Sequence, residues 1–204
     1  MLIHIQDLKR KNYLDTLQIQ EGLRNQVLQN DKENYLVLVE HDHVYTLGKN
    51  ANSNNVLNRS CEIIQTQRGG DVTYHGPGQL VAYPIINLKK NKIGVKTYVE
   101  MIEKLISNIL LDYGLKPHVP MKETGVWIED RKIASIGIHV SRGVTMHGLA
   151  ININTDLSYF DNIISCGIEG VKMTSIDKEL GKKIRMNDIK KSLITHFNQI
   201  FLKK

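Results

Sequence analysis

Residues 68–79 read RGGDVTYHGPGQ, the densest irregular stretch of a 204-residue chain. Gly69, Gly70, Gly76 and Gly78 share it with Pro77, Arg68 and His75. Glycine pairs admit positive φ and let backbone N–H groups come close to a ligand, as anion and oxyanion sites require. The stretch does not end in Gly-Lys-Ser/Thr, so it is no P-loop, and it lacks the GxGxxG spacing of a dinucleotide fold. On local pattern alone it reads equally well as a long hairpin loop with glycine at its turns.

Working outward, residues 79–87 (QLVAYPIIN) read as a strand, and Pro84 inside it argues for an edge or a bulge. Residues 2–5 and YLVLVE at 35–40 are short apolar, β-branched runs and read as strands too. Between them Tyr13, Leu14, Leu17, Gln20, Leu23, Arg24, Val27 and Leu28 recur at helical spacing. A second helix follows from Val95, Tyr98, Val99, Ile102, Leu105, Ile106, Ile109 and Leu110, with Gly94 before it and Gly114 as its stop. In GVWIEDRKIASIGIHV two apolar runs flank Glu129-Asp130-Arg131-Lys132, the mark of a tight hairpin, and a third strand follows at 146–154. Asn187 is the expected cap of a last helix that carries Ile189, Leu193, Phe197, Ile200 and Phe201 on one side. Helices and strands mix without strict βαβ alternation, which predicts an α+β fold, a mixed β-sheet flanked by helices. No repeat or linker divides the chain. A single domain over residues 1–204 is expected, with a small lobe beyond about residue 175 as the variant.

Composition narrows the function. With 41% hydrophobic and 24% charged residues the chain is a folding one, and at this length about 70% of the unfolded surface is buried without help from disulfide or metal. The longest apolar runs, such as residues 108–111, fall far short of a membrane span. At the N-terminus the basic residues follow the apolar ones, the reverse of a signal peptide. A soluble, cytoplasmic chain is the expectation, with no membrane partner. The net charge of +6 admits nucleic acid, a membrane surface or an acidic protein as partner. Its basic residues lie in short scattered clusters with no aromatic interleaving, so no nucleic-acid partner is expected and a solvated basic surface accounts for them.

Few side chains bear chemistry. Cys61 and Cys166 are too few for a disulfide framework and form no CxxC pair. Cys61 enters an apolar run and reads as packing, whereas Cys166, between Ser165 and Gly167, reads as a loop residue. His75 faces a site if the glycine-rich loop forms one. His41 and His43 alternate and are expected to point the same way as a polar strand end; no third metal ligand accompanies them. His139 and His147 read as structural. Lys132, alone, reads as a surface lysine at the end of a hairpin. Were the chain to fold Cys166 back onto it, its ammonium would favour the nucleophilic thiolate. Spacing alone does not bring the two together.

Taken in order, RGGDVTYHGPGQLVAYPIINL, GVWIEDRKIASIGIHV, MHGLAININTDL and ISCGIEG resemble the lipoyl(octanoyl) transferase family over roughly residues 35–176. The related lipoate–protein ligases carry HDxGN where this chain has HGPGQ, and the GRGRxxR-type loop of biotin–protein ligases is absent. The resemblance implies the biotin/lipoate-protein-ligase-like fold. It implies an acyltransferase that moves an octanoyl group from octanoyl-acyl-carrier protein to a lysine of its acceptor, with no cofactor, metal or ATP. The implied acceptors are the lipoyl domains of 2-oxoacid dehydrogenase E2 subunits and the glycine-cleavage H protein. By the same resemblance Cys166 is the nucleophile and Lys132 favours its thiolate and handles protons. Arg68, Gly69, Gly70, Asp71, Val72, Thr73, Tyr74 and His75 match positions lining the acyl pocket, as do Ser135, Ile136 and Gly137, and Gly148, Leu149 and Ala150. An ATP-dependent ligase of the same fold is the competing enzyme, and a non-catalytic binder of lipoyl domains or nucleic acid the competing class.

Overall fold

A computed structural model describes residues 2–30, 32–121 and 123–202. Strand β1 (His4–Arg10), helix α1 (Tyr13–Gln29) and strand β2 (Tyr35–Glu40) open the chain, with β1 parallel to β2. Strands β3 (Val44–Leu47), β4 (Glu62–Gln65) and β5 (Val72–His75) make a small sheet of their own, in the order β4-β3-β5. Then come β6 (Gln79–Ile85), α2 (Val95–Asp112), β7 (Pro117–His118), β8 (Val126–Ile128), β9 (Arg131–Ser141) and β10 (Val144–Asn152). The chain finishes with β11 (Lys172–Met173), α3 (Ile176–Leu180) and α4 (Met186–Phe201). The main sheet runs β1-β2-β6-β10-β9-β8-β7, with β11 added beside β9. It is mixed and flanked by helices, as the α+β reading expects.

Period-two alternation feeds two cores from the same strands. On β2, Leu36 and Leu38 face α2 and α4, while Tyr35, Val37 and Val39 face α1. Strand β6 repeats the division, Leu80 and Ala82 to one side and Val81, Tyr83 and Ile85 to the other. Strands covered on both faces therefore read as continuous apolar runs rather than as alternating ones. On α2 the side chains of Tyr98, Ile102, Leu105, Ile106, Ile109 and Leu110 are buried, each stabilising the fold by about 1.5–3 kcal/mol through apolar burial.

Several boundaries differ from expectation. Strand β1 runs on past residue 5 to Arg10, because an edge strand with exposed polar residues carries no apolar signal. Helix α4 starts at Met186 with Arg185 in the capping position, two residues ahead of Asn187. Residues beyond 175 form no separate lobe: Ile176, Ile189, Leu193, Phe197 and Phe201 share a hydrophobic cluster with α2 and the sheet.

Pro84 is neither on an edge strand nor in a bulge. Strand β6 is interior, between β2 and β10, and the ladder simply opens at the proline. Pairing with β10 ends at Leu149↔Ala82 and resumes with Thr145 N–H donating to Ile86 O at 3.0 Å, without a slip of register. Thr145 Oγ1 satisfies the backbone groups beside the opening, donating to Pro84 O at 2.6 Å and accepting from Ile86 N–H at 2.9 Å. Across the gap stands His147 at φ 57°. The opening in the ladder lies at the wall of the cavity described next.

Candidate active site

Lys132 is the second residue of β9 and only 2% exposed. A lysine just past a tight turn reaches the interior because the β8–β9 pairing shifts register between Val126 and Trp127. Such an irregularity re-aims side chains relative to a regular ladder. Strand β11 then covers the outer edge, pairing Met173 with Lys132, and Thr174 N–H donates to Lys132 O at 2.9 Å. The expectation of a surface lysine fails for this reason.

The same β11 pairing returns the chain segment that holds Cys166. Lys132 Nζ lies 3.2 Å from Cys166 Sγ. Cys166 adopts φ 59°, ψ 16°, and Gly167 follows at φ 69°. A non-glycine residue in the left-handed region costs of order 1 kcal/mol and persists where its surroundings hold it. Here Asn55 and Asp71 hold it. Ile164 N–H donates to Asn55 O at 2.8 Å, Asn55 Nδ2 donates to Asp71 Oδ2 at 2.7 Å, and Val72 N–H donates to Asp71 Oδ1 at 2.6 Å. A Cβ on Gly167 would sit 2.7 Å from Asp71 Oδ2, so the turn closes on the aspartate only with glycine there. The strained turn presents the thiol to the ammonium.

Both side chains open into a cavity of about 280 Å³, at the small end of ligand pockets. Of the positions matched by resemblance, Arg68, Gly70, Asp71, Thr73, His75, Ser135, Ile136, Gly137, Gly148, Leu149 and Ala150 line it. Gly69, Val72 and Tyr74 do not. The stretch expected to be irregular contains β5, and alternation on that strand sends Val72 and Tyr74 into a cluster with Tyr45, Leu47, Phe160 and Ile163. Thr73 and His75 take the cavity side. The N–H of Gly69 is engaged by Ile138 O at 2.8 Å, so it is not a free donor for an oxyanion.

Arg68 is buried with no carboxylate in contact among the described residues. Its guanidinium donates to carbonyl oxygens, from Nη2 to Thr46 at 2.5 Å and Asp71 at 2.7 Å, and from Nη1 to Gly69 at 3.0 Å. Burial pulls its pKa below the usual arginine value. It braces the glycine-rich segment against β3.

The cavity wall also carries a cluster of buried aromatic polar groups. Tyr13 stacks on His75 at 6.0 Å and packs on His41 at 5.1 Å between ring centroids. His41 Nε2 hydrogen-bonds with Tyr83 Oη at 2.8 Å, and His75 Nδ1 with Gln79 Oε1 at 2.8 Å. His41 therefore turns inward while His43 is exposed and hydrogen-bonds with Tyr74, contrary to the expectation that the pair points one way. His147, read as structural, lines the cavity, whereas His139 does not.

Burial pushes His41 down to about 4, and His75 and His147 down to about 3. It pushes Tyr13 up to about 12. All four groups are uncharged at neutral pH. A depressed histidine pKa means that the unfolded chain binds the extra proton first, so stability is full above about pH 6.5 and falls toward the folded values. Each imidazole contributes at most roughly 1.4 kcal/mol per pH unit within that window. The melting temperature is therefore expected to drop steeply between about pH 6 and pH 4. A flat melting temperature across the window would show the imidazoles to be hydrated.

Tyr13, Val81, Tyr83, Glu123, Thr124, His147 and Ile168 line the cavity without having been marked in the sequence. Tyr13 and Tyr83 sat in plain view on an amphipathic helix and an apolar strand, where an aromatic residue reads as core. Only the β6–β10 opening shows that this core has a hollow.

The chain superimposes on solved lipoate-protein ligases. A lipoate-protein ligase A bound with ATP matches with a TM-score of 0.81 at 14% identity, covering 99% of this chain and 86% of that one. A T. acidophilum protein solved with bound lipoic acid gives 0.78 at 14%, covering 99% and 87%. The biotin protein ligase of Aquifex aeolicus gives 0.59 at 13%, covering 100% and 70%. Residues 12–198 match the family described as the lipoyl protein ligase A/B catalytic domain, and the chain belongs to that family. Within it, the octanoyltransferase of Christiangramia forsetii is 40% identical over 98% of this chain and 95% of its own length. That of Solibacter usitatus is 42% identical over 97% and 92%.

Proposed function

We infer that the protein is an octanoyltransferase of protein lipoylation, an acyltransferase whose reaction runs through Cys166 and Lys132. The observation that carries the site assignment is the 3.2 Å contact between Lys132 Nζ and Cys166 Sγ on the wall of a mostly apolar cavity. Cys166 thiolate attacks the carbonyl of an octanoyl thioester, the donor thiolate leaves, and Lys132 gives it a proton. The acceptor lysine amine then attacks the acyl-cysteine, passes a proton to the now neutral Lys132, and expels the Cys166 thiolate. Ammonium and thiolate are restored together. A thioester is already activated, so the cycle needs no ATP. The octanoyl tail lies along Ile136, Leu149, Ala150 and Val81, where burial stabilises it by about 0.8 kcal/mol per methylene.

The donor is octanoyl-acyl-carrier protein and the acceptors are lipoyl domains of 2-oxoacid dehydrogenase E2 subunits and the glycine-cleavage H protein. Residues 1–204 work as a single catalytic domain in the cytoplasm. No helix among the described residues is long and apolar enough to cross a membrane, which is compatible with that placement. The test mixes the protein with octanoyl-carrier protein and an unmodified lipoyl domain without nucleotide. Octanoyl-lysine is expected to form; product made only from free octanoate and ATP would make the protein a ligase instead.

The surplus charge of +6 suits an acidic carrier. Exposed Lys172 and Lys178 line a groove with Ser165 and Ile168 on the outer side of the Cys166 turn. Charge steering weakens with ionic strength. The apparent KM for the carrier is expected to rise several-fold between about 0.05 and 0.5 M salt, with kcat nearly unchanged. A salt-independent KM removes the charge from the account.

A further inference from the structure

Lys132 is a buried lysine with no carboxylate partner among the described residues. Burying a charge without compensation is costly, so what surrounds the ammonium matters. Cys166 Sγ is on one side at 3.2 Å. The backbone of Gly125 is on another, so near that a Cβ there would stand 2.8 Å from Lys132 Cε and 3.3 Å from Nζ, at φ +132°. The third is the ring of Trp127, whose centroid lies 5.6 Å from Nζ, within cation–π range. Trp127 pairs directly with Lys132 across β8–β9, at the register shift that turns the lysine inward.

The indole is buried, and its Nε1 has no hydrogen-bond partner among the described residues. Buried tryptophans ordinarily place that N–H on an acceptor. Here the ring is held by packing and pairing, and the group it offers its neighbourhood is its π-face. A π-face attracts an ammonium and is indifferent to a neutral amine.

We propose that Trp127 is a positioning residue that holds the Lys132 side chain against Cys166 and favours its charged form. The proposal rests on the reading of Cys166 and Lys132 as the reacting pair. It assigns Trp127 no contact with substrate. An ammonium held 3.2 Å from Cys166 Sγ in turn favours the thiolate. Other charged and titratable groups face the pair and act on the same equilibrium. Arg68, Asp71 and Glu123 line the cavity with it, and Arg131 on β9 and Lys172 on β11 flank it. His75 and His147, at about 3, and Tyr13, at about 12, stay uncharged between pH 6 and 9. Tyr83 lies higher still.

Two measurements test it. In a Cys61→Ser background, the pH midpoint for alkylation of Cys166 by iodoacetamide is compared among Trp127, Trp127→Leu and Trp127→Phe. The leucine variant is expected to move the midpoint upward by roughly half to one pH unit, and phenylalanine to recover at least half of the shift. An unmoved midpoint in Trp127→Leu, or an equal shift in Trp127→Phe, overturns the proposal. The second measurement needs no tryptophan variant, because this is the single tryptophan of the chain. Its emission is expected to change with pH at the alkylation midpoint, and the step to vanish in Lys132→Met. Emission that is flat, or that keeps its step in Lys132→Met, overturns the proposal as well. Neither measurement uses an octanoyl donor. Failure of Cys166 to accept an octanoyl group therefore defeats the functional reading separately, while a normal acyl adduct with a Trp127-independent midpoint defeats only this inference.

Discussion

Cys166→Ala is expected to abolish octanoyl transfer, lowering kcat/KM on the order of 10⁴-fold or more, as loss of a covalent nucleophile does elsewhere. The same change removes the covalent intermediate. Incubation of the wild-type protein with octanoyl-carrier protein alone should leave one octanoyl group on Cys166, detected by peptide mass spectrometry, and none on Cys61. The geometry makes this selective. Cys61 packs at the edge of the cluster around Tyr45 and Tyr74, whereas Cys166 lies on the cavity wall beside the only cation drawn up to a thiol among the described residues. Alanine keeps a Cβ, so the left-handed turn held by Asn55 and Asp71 is no more strained than with cysteine. The variant does leave the buried Lys132 amine without its sulfur partner, so some loss of stability is expected, and circular dichroism confirms the fold before activity is read. An unmodified Cys166 during turnover, or full activity in Cys166→Ala, would mean direct transfer from donor to acceptor and would sink the two-step reading.

The parts of this site that could be read in the sequence are those that glycine and strand patterning mark. Residues 68–79 announced a cradle by composition, and Arg68, Gly70, Asp71, Thr73 and His75 among them line the cavity. Yet that composition hid β5, because a four-residue strand between glycine pairs gives no periodicity to detect. The alternation it imposes is what moves Val72 and Tyr74 away from the ligand side. Lys132 is the sharper case. Its local sequence, past a turn of charged residues, describes a surface position, and only the family resemblance singled it out. What buries it is the register shift opposite Trp127 together with the cover of β11, and both depend on pairings between distant segments. Tyr13 and Tyr83 were legible as core residues and are in fact cavity wall. An aromatic side chain facing a hollow has the same sequence signature as one facing a neighbour.

The two helical layers were legible for the opposite reason. On α2 the apolar spacing is dictated by a single face and needs no partner to be recognised. The β2 and β6 runs are apolar throughout because each strand serves two cores. A reader of the sequence sees a buried strand there and has no means to say which residues face which helix. Pro84 shows the limit of a local rule. It was expected at an edge or a bulge, since it lacks the N–H a ladder needs, but the ladder opens there and the hydroxyl of Thr145, distant in sequence, takes up Pro84 O and Ile86 N–H beside the gap.

Lys132→Met is expected to slow the enzyme in two separable ways. An opposite charge within about 4–6 Å favours the ionised form of an acid by one to three pH units. Taking the ammonium away from its 3.2 Å contact should therefore slow alkylation of Cys166 about tenfold or more at pH 7. The sign fixes the pH dependence. The deficit is largest at and below neutral pH, and it closes as pH rises past the variant's own midpoint, where its thiol ionises unaided. Transfer to the acceptor should not recover in that way, because the variant also lacks the group that protonates the departing donor thiol and accepts the amine's proton. That loss amounts to roughly 10²–10⁴ in kcat at any pH. Methionine fills most of the lysine's volume beside Gly125 and Trp127, so the fold is expected to survive and even to gain stability from losing a buried charge. Stopped-flow alkylation and steady-state transfer, each followed from pH 6 to pH 9.5, distinguish the two effects. Alkylation recovering while transfer stays low is the expected pattern. Equal alkylation rates in both proteins at pH 7 would leave Lys132 without influence on the thiol.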